Sequence, residues 1–207
     1  MTLRLKLIVL ATALGLTACS SPQTRYYTLI APMGNAQTPA VQAAPFQFEM
    51  QPVLMPVQVD QPPLVVRQGN GTLGILDTER WGSPLGDEFH DALTAQLERR
   101  FGGRDMAGLP KDSGRPVLSV RTDVRRFESA PSNYALIDVV WTLSLRDAGA
   151  LSGSKRRNLT CSSVISQPAA EGMDNLIAAH QKAVAELADA IATTAGQWTR
   201  SADARCL

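Results

Sequence analysis

Tyr134-Ala135-Leu136-Ile137-Asp138-Val139-Val140-Trp141-Thr142-Leu143-Ser144-Leu145 is the stretch whose pattern decides the fold. Ile137, Val139, Trp141, Leu143 and Leu145 recur at every second position, and the two-residue period of a strand puts all five on one face. The segment before it, Val117 to Phe127, repeats the pattern, with Leu118, Val120 and Val124 alternating against Ser119, Arg121, Asp123 and Arg125. Arg156 to Ile165 repeats it more weakly, after turn residues at Asp147 to Ala150 and Gly153. Three such strands in succession predict an antiparallel meander with one buried and one wet face.

A buried face needs cover, and two segments with helical spacing supply it. Leu85, Phe89, Ala92, Leu93, Leu97 and Phe101 recur at threes and fours, with Ser83 as the expected cap, Pro84 in the first turn and Gly102-Gly103 as the stop. On this helix Asp87, Glu88, Asp91, Glu98 and Arg99 are expected to face water. Met173 to about Ser201 carries Leu176, Ile177, Ala179 or His180, Val184, Leu187, Ala188 and Ile191 on one face, with Gly196 weakening the last turns and Trp198 folding back on the sheet.

Upstream, Thr24 to Ile30 is rich in β-branched and aromatic residues and predicts a strand. The stretch 31–45, rich in Pro, Ala and Gln, predicts a mobile loop. Phe46 to Val59 predicts extended structure at a sheet edge, interrupted by Pro52 and Pro56. After the bend at Gln61-Pro62-Pro63, Leu64 to Arg67 and Thr72 to Leu76 flank Gly69-Asn70-Gly71 as a hairpin. The predicted fold class is therefore α+β: a mixed, largely antiparallel sheet with two main helices, about 84–101 and 173–201, packed on it. About 190 residues beyond the N-terminal segment suit one domain, 19–207.

Residues 1–18 have the parts of an export signal: Arg4 and Lys6, an apolar run from Leu7 to Leu16, and small residues before a cleavage point. That run is about ten residues, short of the roughly 20 that span a bilayer. Leu16-Thr17-Ala18-Cys19 resembles the lipobox of bacterial lipoproteins, which implies that Cys19 becomes the acylated first residue of the mature chain. Ser20 stands where an aspartate tends to retain lipoproteins in the inner membrane, which implies an outer-membrane address facing the periplasm.

The whole chain has 20 basic and 19 acidic residues, and losing Arg4 and Lys6 with the signal leaves 18 against 19. That balance, with 5% aromatic residues, argues against nucleic acid as a partner. Of three cysteines, Cys19 is assigned to lipid, so Cys161 and Cys206 are predicted to pair as a disulfide in an oxidising compartment; two free buried thiols are the alternative.

No stretch proposes a reaction. Gly82-Ser83-Pro84-Leu85-Gly86 has its serine one place early for a nucleophile elbow and reads as a helix start. His90 and His180 each sit in a helix without a second ligand at metal spacing; His90, with Asp87 nearby, reads as a surface histidine. Met33, Met50, Met55 and Met106 are scattered and read as filler of core and loops. The expectation is a non-catalytic protein with no cofactor and no metal.

Tyr26-Tyr27-Thr28-Leu29 shortly after the lipobox, the proline-rich lead into Leu64-Val65-Val66-Arg67, Arg80-Trp81 before Pro84-Leu85, Trp141 in a later strand and an Ala, Leu and Ile-bearing C-terminal helix together resemble the ABC-type transport auxiliary lipoproteins, the PqiC family. The match departs at Asp60-Gln61-Pro62-Pro63 and in the loop before Phe46. The resemblance implies an outer-membrane lipoprotein of an MCE/ABC-type intermembrane lipid transport system that supports envelope integrity. Its implied partner is an inner-membrane-anchored MCE-domain protein (PqiB-like), with outer-membrane lipids held through Cys19 and a homo-oligomeric ring as a further implication. Arg80 and Trp81 are interface candidates because both residue types are enriched at hot spots, although Trp81 also reads as a core plug at the helix start. Tyr26 and Tyr27 alternate, so one is expected inside and the other free for a partner or headgroup. A structural or lipid-carrying envelope lipoprotein independent of an MCE system is the other function these residues fit.

Overall fold

The computed structural model describes residues 23–32, 42–69, 71–149, 156–201, 203, 205 and 206. The signal segment, Cys19, most of the expected loop at 31–45, Asn70 and the turn residues 150–155 lie outside the described residues. The elements run β1 (Arg25–Tyr27), β2 (Gln47–Met50), β3 (Pro63–Gln68), β4 (Thr72–Trp81), α1 (Leu85–Phe101), β5 (Val117–Ala130), β6 (Tyr134–Arg146), β7 (Arg157–Pro168) and α2 (Met173–Trp198).

Alternation in the sequence becomes register in the sheet. β5, β6 and β7 form the meander, with Trp141 opposite Thr122 on one side and Cys161 on the other. Ile137, Val139, Trp141, Leu143 and Leu145 are all buried, while the intervening residues of β6 are half-exposed. A bulge between Val124 and Arg126 adds one residue to β5, which shifts the parity and returns Phe127 to the buried face.

The arrangement is α+β, with the strands divided between two sheets rather than gathered in one. β2 joins β5 in parallel at the edge of a four-stranded sheet, in the order β2-β5-β6-β7. β1, β4 and β3 form a three-stranded sheet in that order, with β1 parallel to β4. Short strands with an intervening crossover allowed the division: β1 has three residues and β2 four, too few to be placed from periodicity alone.

α2 packs on β6, β7 and α1, and one continuous core draws Leu93 and Leu97 of α1, Val184, Leu187 and Ile191 of α2, and the inner face of the meander together. Phe101 closes one end, edge-on to Phe46 and Phe48 at 5.1 Å each. His180 lies fully buried against Phe127, its ring stacked at 4.1 Å, with Ser129 Oγ 2.9 Å from Nε2. Burial alone, with no charged partner, pulls its pKa down to about 3, so it is a neutral core residue.

Three local expectations are corrected. β4 continues to Trp81, five residues past Leu76, because β1 pairs with its second half from Glu79 to Trp81. Pro84, not Ser83, occupies the cap position of α1 and offers no side-chain bond; Ser83 Oγ instead donates to Glu88 Oε1 at 3.2 Å. Glu88, expected in water, is 7% exposed because the chain entering from β1 covers it.

Candidate functional site: the tether strand and its clasp

β1 is the first element of the described chain, and three residues are too few to hold a strand by burial. Side-chain bonds hold it instead. Arg25 Nη2 donates to Glu79 Oε1 at 2.6 Å, and its guanidinium lies 6.0 Å from the Tyr27 ring centroid. The Tyr27 hydroxyl and the second Glu79 oxygen are both buried, and neither has a hydrogen-bond partner among the described residues. Burial, reinforced by Glu79, pushes the Tyr27 phenol up to about 12. Burial works to raise the Glu79 carboxyl, but the hydrogen bonds and charge of Arg25, with the Tyr27 hydroxyl nearby, outweigh it and hold it below the usual range.

Past β1 the chain meets Glu88. One of its oxygens accepts from Thr28 Oγ1 at 2.7 Å and from the Leu29 N–H at 2.9 Å. Gly82 N–H donates to the Tyr27 carbonyl at 2.8 Å, and Gln181 Nε2 of α2 donates to the Thr28 carbonyl at 3.0 Å. A Cβ at Gly82 would stand 3.1 Å from Glu88 Oε1, so glycine keeps that approach open. The strand is therefore fastened to β4, α1 and α2 together. Glu88 was missed from sequence because helical spacing assigned it to the wet face; the signal lay outside the helix, in Thr28 some 60 residues away.

A second polar cluster joins the two sheets. Arg67 of β3 grips both oxygens of Glu128 on β5, through Nη2 at 2.7 Å and Nε at 3.2 Å. Arg126 donates twice to Glu128 Oε1, at 2.8 and 3.1 Å, and the Tyr134 hydroxyl donates to Oε2 at 3.0 Å. Burial favours the neutral Glu128 carboxyl, yet these donors hold its pKa below the carboxylate range. The three charged groups border an open basin of about 770 Å³ that also includes Gly69, Gly71 and Asn133.

The structure separates the interface candidates. Tyr26 is 68% exposed and Tyr27 half-buried, with Arg80 half-buried beside Tyr26 across the β1–β4 pair. Trp81 is the correction: at 3% exposure, edge-on to Phe127, it is a core residue and presents nothing to a partner. Cys161 and Cys206 are joined by a disulfide, with Cα atoms 5.6 Å apart across a separation of 45 residues. His90 meets Asp91 at 3.0 Å, not Asp87. Among the described residues no His, Cys, Asp and Glu side chains gather in threes around a metal-sized space, and no helix is long and apolar enough to cross a membrane.

The domain is a small α+β unit entered through a clasped N-terminal strand, with polar clusters that tie its elements together. The chain belongs to the family of ABC-type transport auxiliary lipoprotein components, whose model matches residues 27–192. Two solved structures share the fold. A crystal structure of an uncharacterized protein is 18% identical, with 83% of this chain and 97% of that one covered at a TM-score of 0.57. A Xanthomonas campestris protein is 17% identical, with 86% and 100% covered at a TM-score of 0.55. No curated protein sequence matches the chain.

Proposed function

We propose that this protein is a non-catalytic auxiliary lipoprotein, anchored in the outer membrane through Cys19 and facing the periplasm, in an MCE/ABC-type (Pqi-like) lipid transport system that supports envelope integrity. The observation that carries the reading is the family match over residues 27–192, joined to a fold whose first strand begins six residues after Cys19. Within that reading the domain docks an inner-membrane-anchored MCE-domain protein as one member of a homo-oligomeric ring, and energy coupling resides in other subunits. Tyr26 and Arg80 are its proposed contact residues, since Tyr26 is exposed and Arg80 lies half-buried opposite it in the β1–β4 pair.

Two measurements test this. Envelope fractionation should place the protein in the outer-membrane fraction and release Cys19→Ala from membranes. A photo-crosslinker at position 26 should capture a protein that mass spectrometry identifies as bearing an MCE domain. Recovery of cell-wall fragments in its place, with no MCE protein, would overturn the transport assignment in favour of an envelope-structural one.

A further inference from the structure

We propose that the pole of the domain bearing the β3–β4 hairpin tip is its membrane-contacting face, where Leu73 and Ile75 meet the bilayer interface and Arg67 with Arg126 take phosphate groups of its lipids. The inference rests on acylation of Cys19.

The first argument is direction. β1 is parallel to β4, and Arg25 stands opposite Glu79, so the chain preceding Arg25 departs toward the start of β4, which is the hairpin tip. α2 begins at the same pole: the charge of Asp174, in its first turn, acts on Arg25, and Leu176 packs with Val66 of β3 and Ala135 of β6. The β5–β6 turn completes this pole, with Ala169 N–H donating to the Asn133 carbonyl.

The second argument is reach. Arg25 follows Cys19 by six positions, at most about 20 Å of chain. Six residues of β4 also separate Leu73 from Glu79, again about 20 Å. An acylated Cys19 at the bilayer surface therefore holds Arg25 within one hairpin length of that surface, and the tip is the part of the domain that fills the interval.

The third argument is chemistry. Leu73 is 51% and Ile75 55% exposed on the tip strand, an arrangement that water disfavours and the headgroup boundary accepts. Beside them, Arg67 and Arg126 each give two N–H groups to Glu128 and retain three. One carboxylate neutralises one of the two guanidiniums, so a positive charge remains over the basin, in the planar fork that suits phosphate. The opposite pole carries Val57, 88% exposed in the turn before β3, and faces away from the lipid.

Tryptophan at the tip tests the orientation. Full-length chain purified from envelopes as Leu73→Trp, Ile75→Trp or Val57→Trp is reconstituted into phosphatidylethanolamine vesicles containing brominated phosphatidylglycerol, and emission quenching is read. Trp81, Trp141 and Trp198 are buried and give all variants the same background. Quenching is expected at 73 and 75 and not at 57. Adding Arg126→Gln to Leu73→Trp should lower that quenching about twofold, as expected where a basic residue contributes to holding an anionic surface; unchanged quenching removes the arginines from the contact. Vesicles that do not retain the protein overturn the anchor and the inference with it. Retained protein that quenches equally at 57 and 73 leaves the anchor standing and overturns the orientation.

Discussion

The two sheets of this domain are held by different forces. The four-stranded sheet has strands of 12 to 14 residues in its meander and one face that is almost wholly apolar, so register and burial are the main forces that hold it. The three-stranded sheet begins with a strand of three residues, held by Glu79 through its own Arg25 and followed at once by the bonds to Glu88. At the short N-terminal strand, hydrogen bonds of defined geometry fix the position of the chain; along the meander, buried area holds it.

Removing area should therefore be the most damaging change. Trp141 is buried at the centre of β6, its Nε1 donating to Ser163 Oγ at 3.0 Å. Trp141→Ala is expected to cost about 3–5 kcal/mol in urea unfolding, as large aromatic truncations in packed cores do. The cost should appear as a shift of one cooperative transition, because the core is continuous across both sheets.

The disulfide ranks next. It ties the C-terminal end of the chain to β7, closing 45 residues, for which the chain-entropy model gives about 4 kcal/mol at most. Cys161→Ala with Cys206→Ala should lower the urea midpoint by a corresponding amount and leave protection of β1 amides against hydrogen exchange unchanged relative to the rest. A selective loss at β1 would mean that the two ends of the chain stabilise one another.

Glu88→Gln attacks the other side of the comparison. The carboxylate takes Thr28, Leu29 and Ser83 at once, and an amide keeps shape but cannot accept from all three. A loss of about 1–3 kcal/mol is expected for the buried groups left under-satisfied. Hydrogen exchange should accelerate at Leu29 before Val139. Equal acceleration at both would show that the clasp is part of the global core, not a local fastening.

That difference also explains what the sequence made legible. The meander, both helices and the hairpin follow from periodicity, because each is long enough for period two or 3.6 to stand out. Phe46, Phe48 and Met50 are buried within the stretch read as extended, and Trp198 does fold back, with Arg157 of β7 5.2 Å from its ring centroid. Glu88 is misassigned and Trp81 left open between core and interface for one shared reason: each takes its environment from a partner far away in sequence, Phe127 for the tryptophan and Thr28 for the carboxylate. The Arg67–Glu128–Arg126 cluster was invisible because it depends on two sheets meeting. Short strands and long-range polar pairs leave no local pattern to read.

His180 gives a smaller effect with a defined sign. Its folded pKa of about 3 lies below the unfolded value of 6.5, so the stability it contributes as a neutral group is complete above about pH 6.5 and is lost as pH falls toward 3. The expected slope is about 1.4 kcal/mol per pH unit in that window. His180→Leu removes the proton linkage and should flatten the urea-midpoint profile between pH 6.5 and 4.5. A profile as steep as that of the unmodified chain would assign the loss to other groups.

Tyr27 provides the most local test. Its folded pKa, raised to about 12 by burial and then by Glu79, lies above the ordinary phenol value of 10.0. The protonated phenol is the favoured form, so its contribution is present below pH 10 and is lost as pH rises through 10 toward 12. Absorbance at 295 nm should show a tyrosine that ionises near pH 12, and Tyr27→Phe should abolish that late step. Tyr134 is also raised, by its bond to Glu128 and then by burial, so it is the competing assignment. If the step survives in Tyr27→Phe and vanishes in Tyr134→Phe, the tightly held phenol belongs to the basin between the sheets. The N-terminal strand would then be fastened without the Tyr27 phenol, by Glu88, the Arg25–Glu79 pair and the Gly82 and Gln181 bonds.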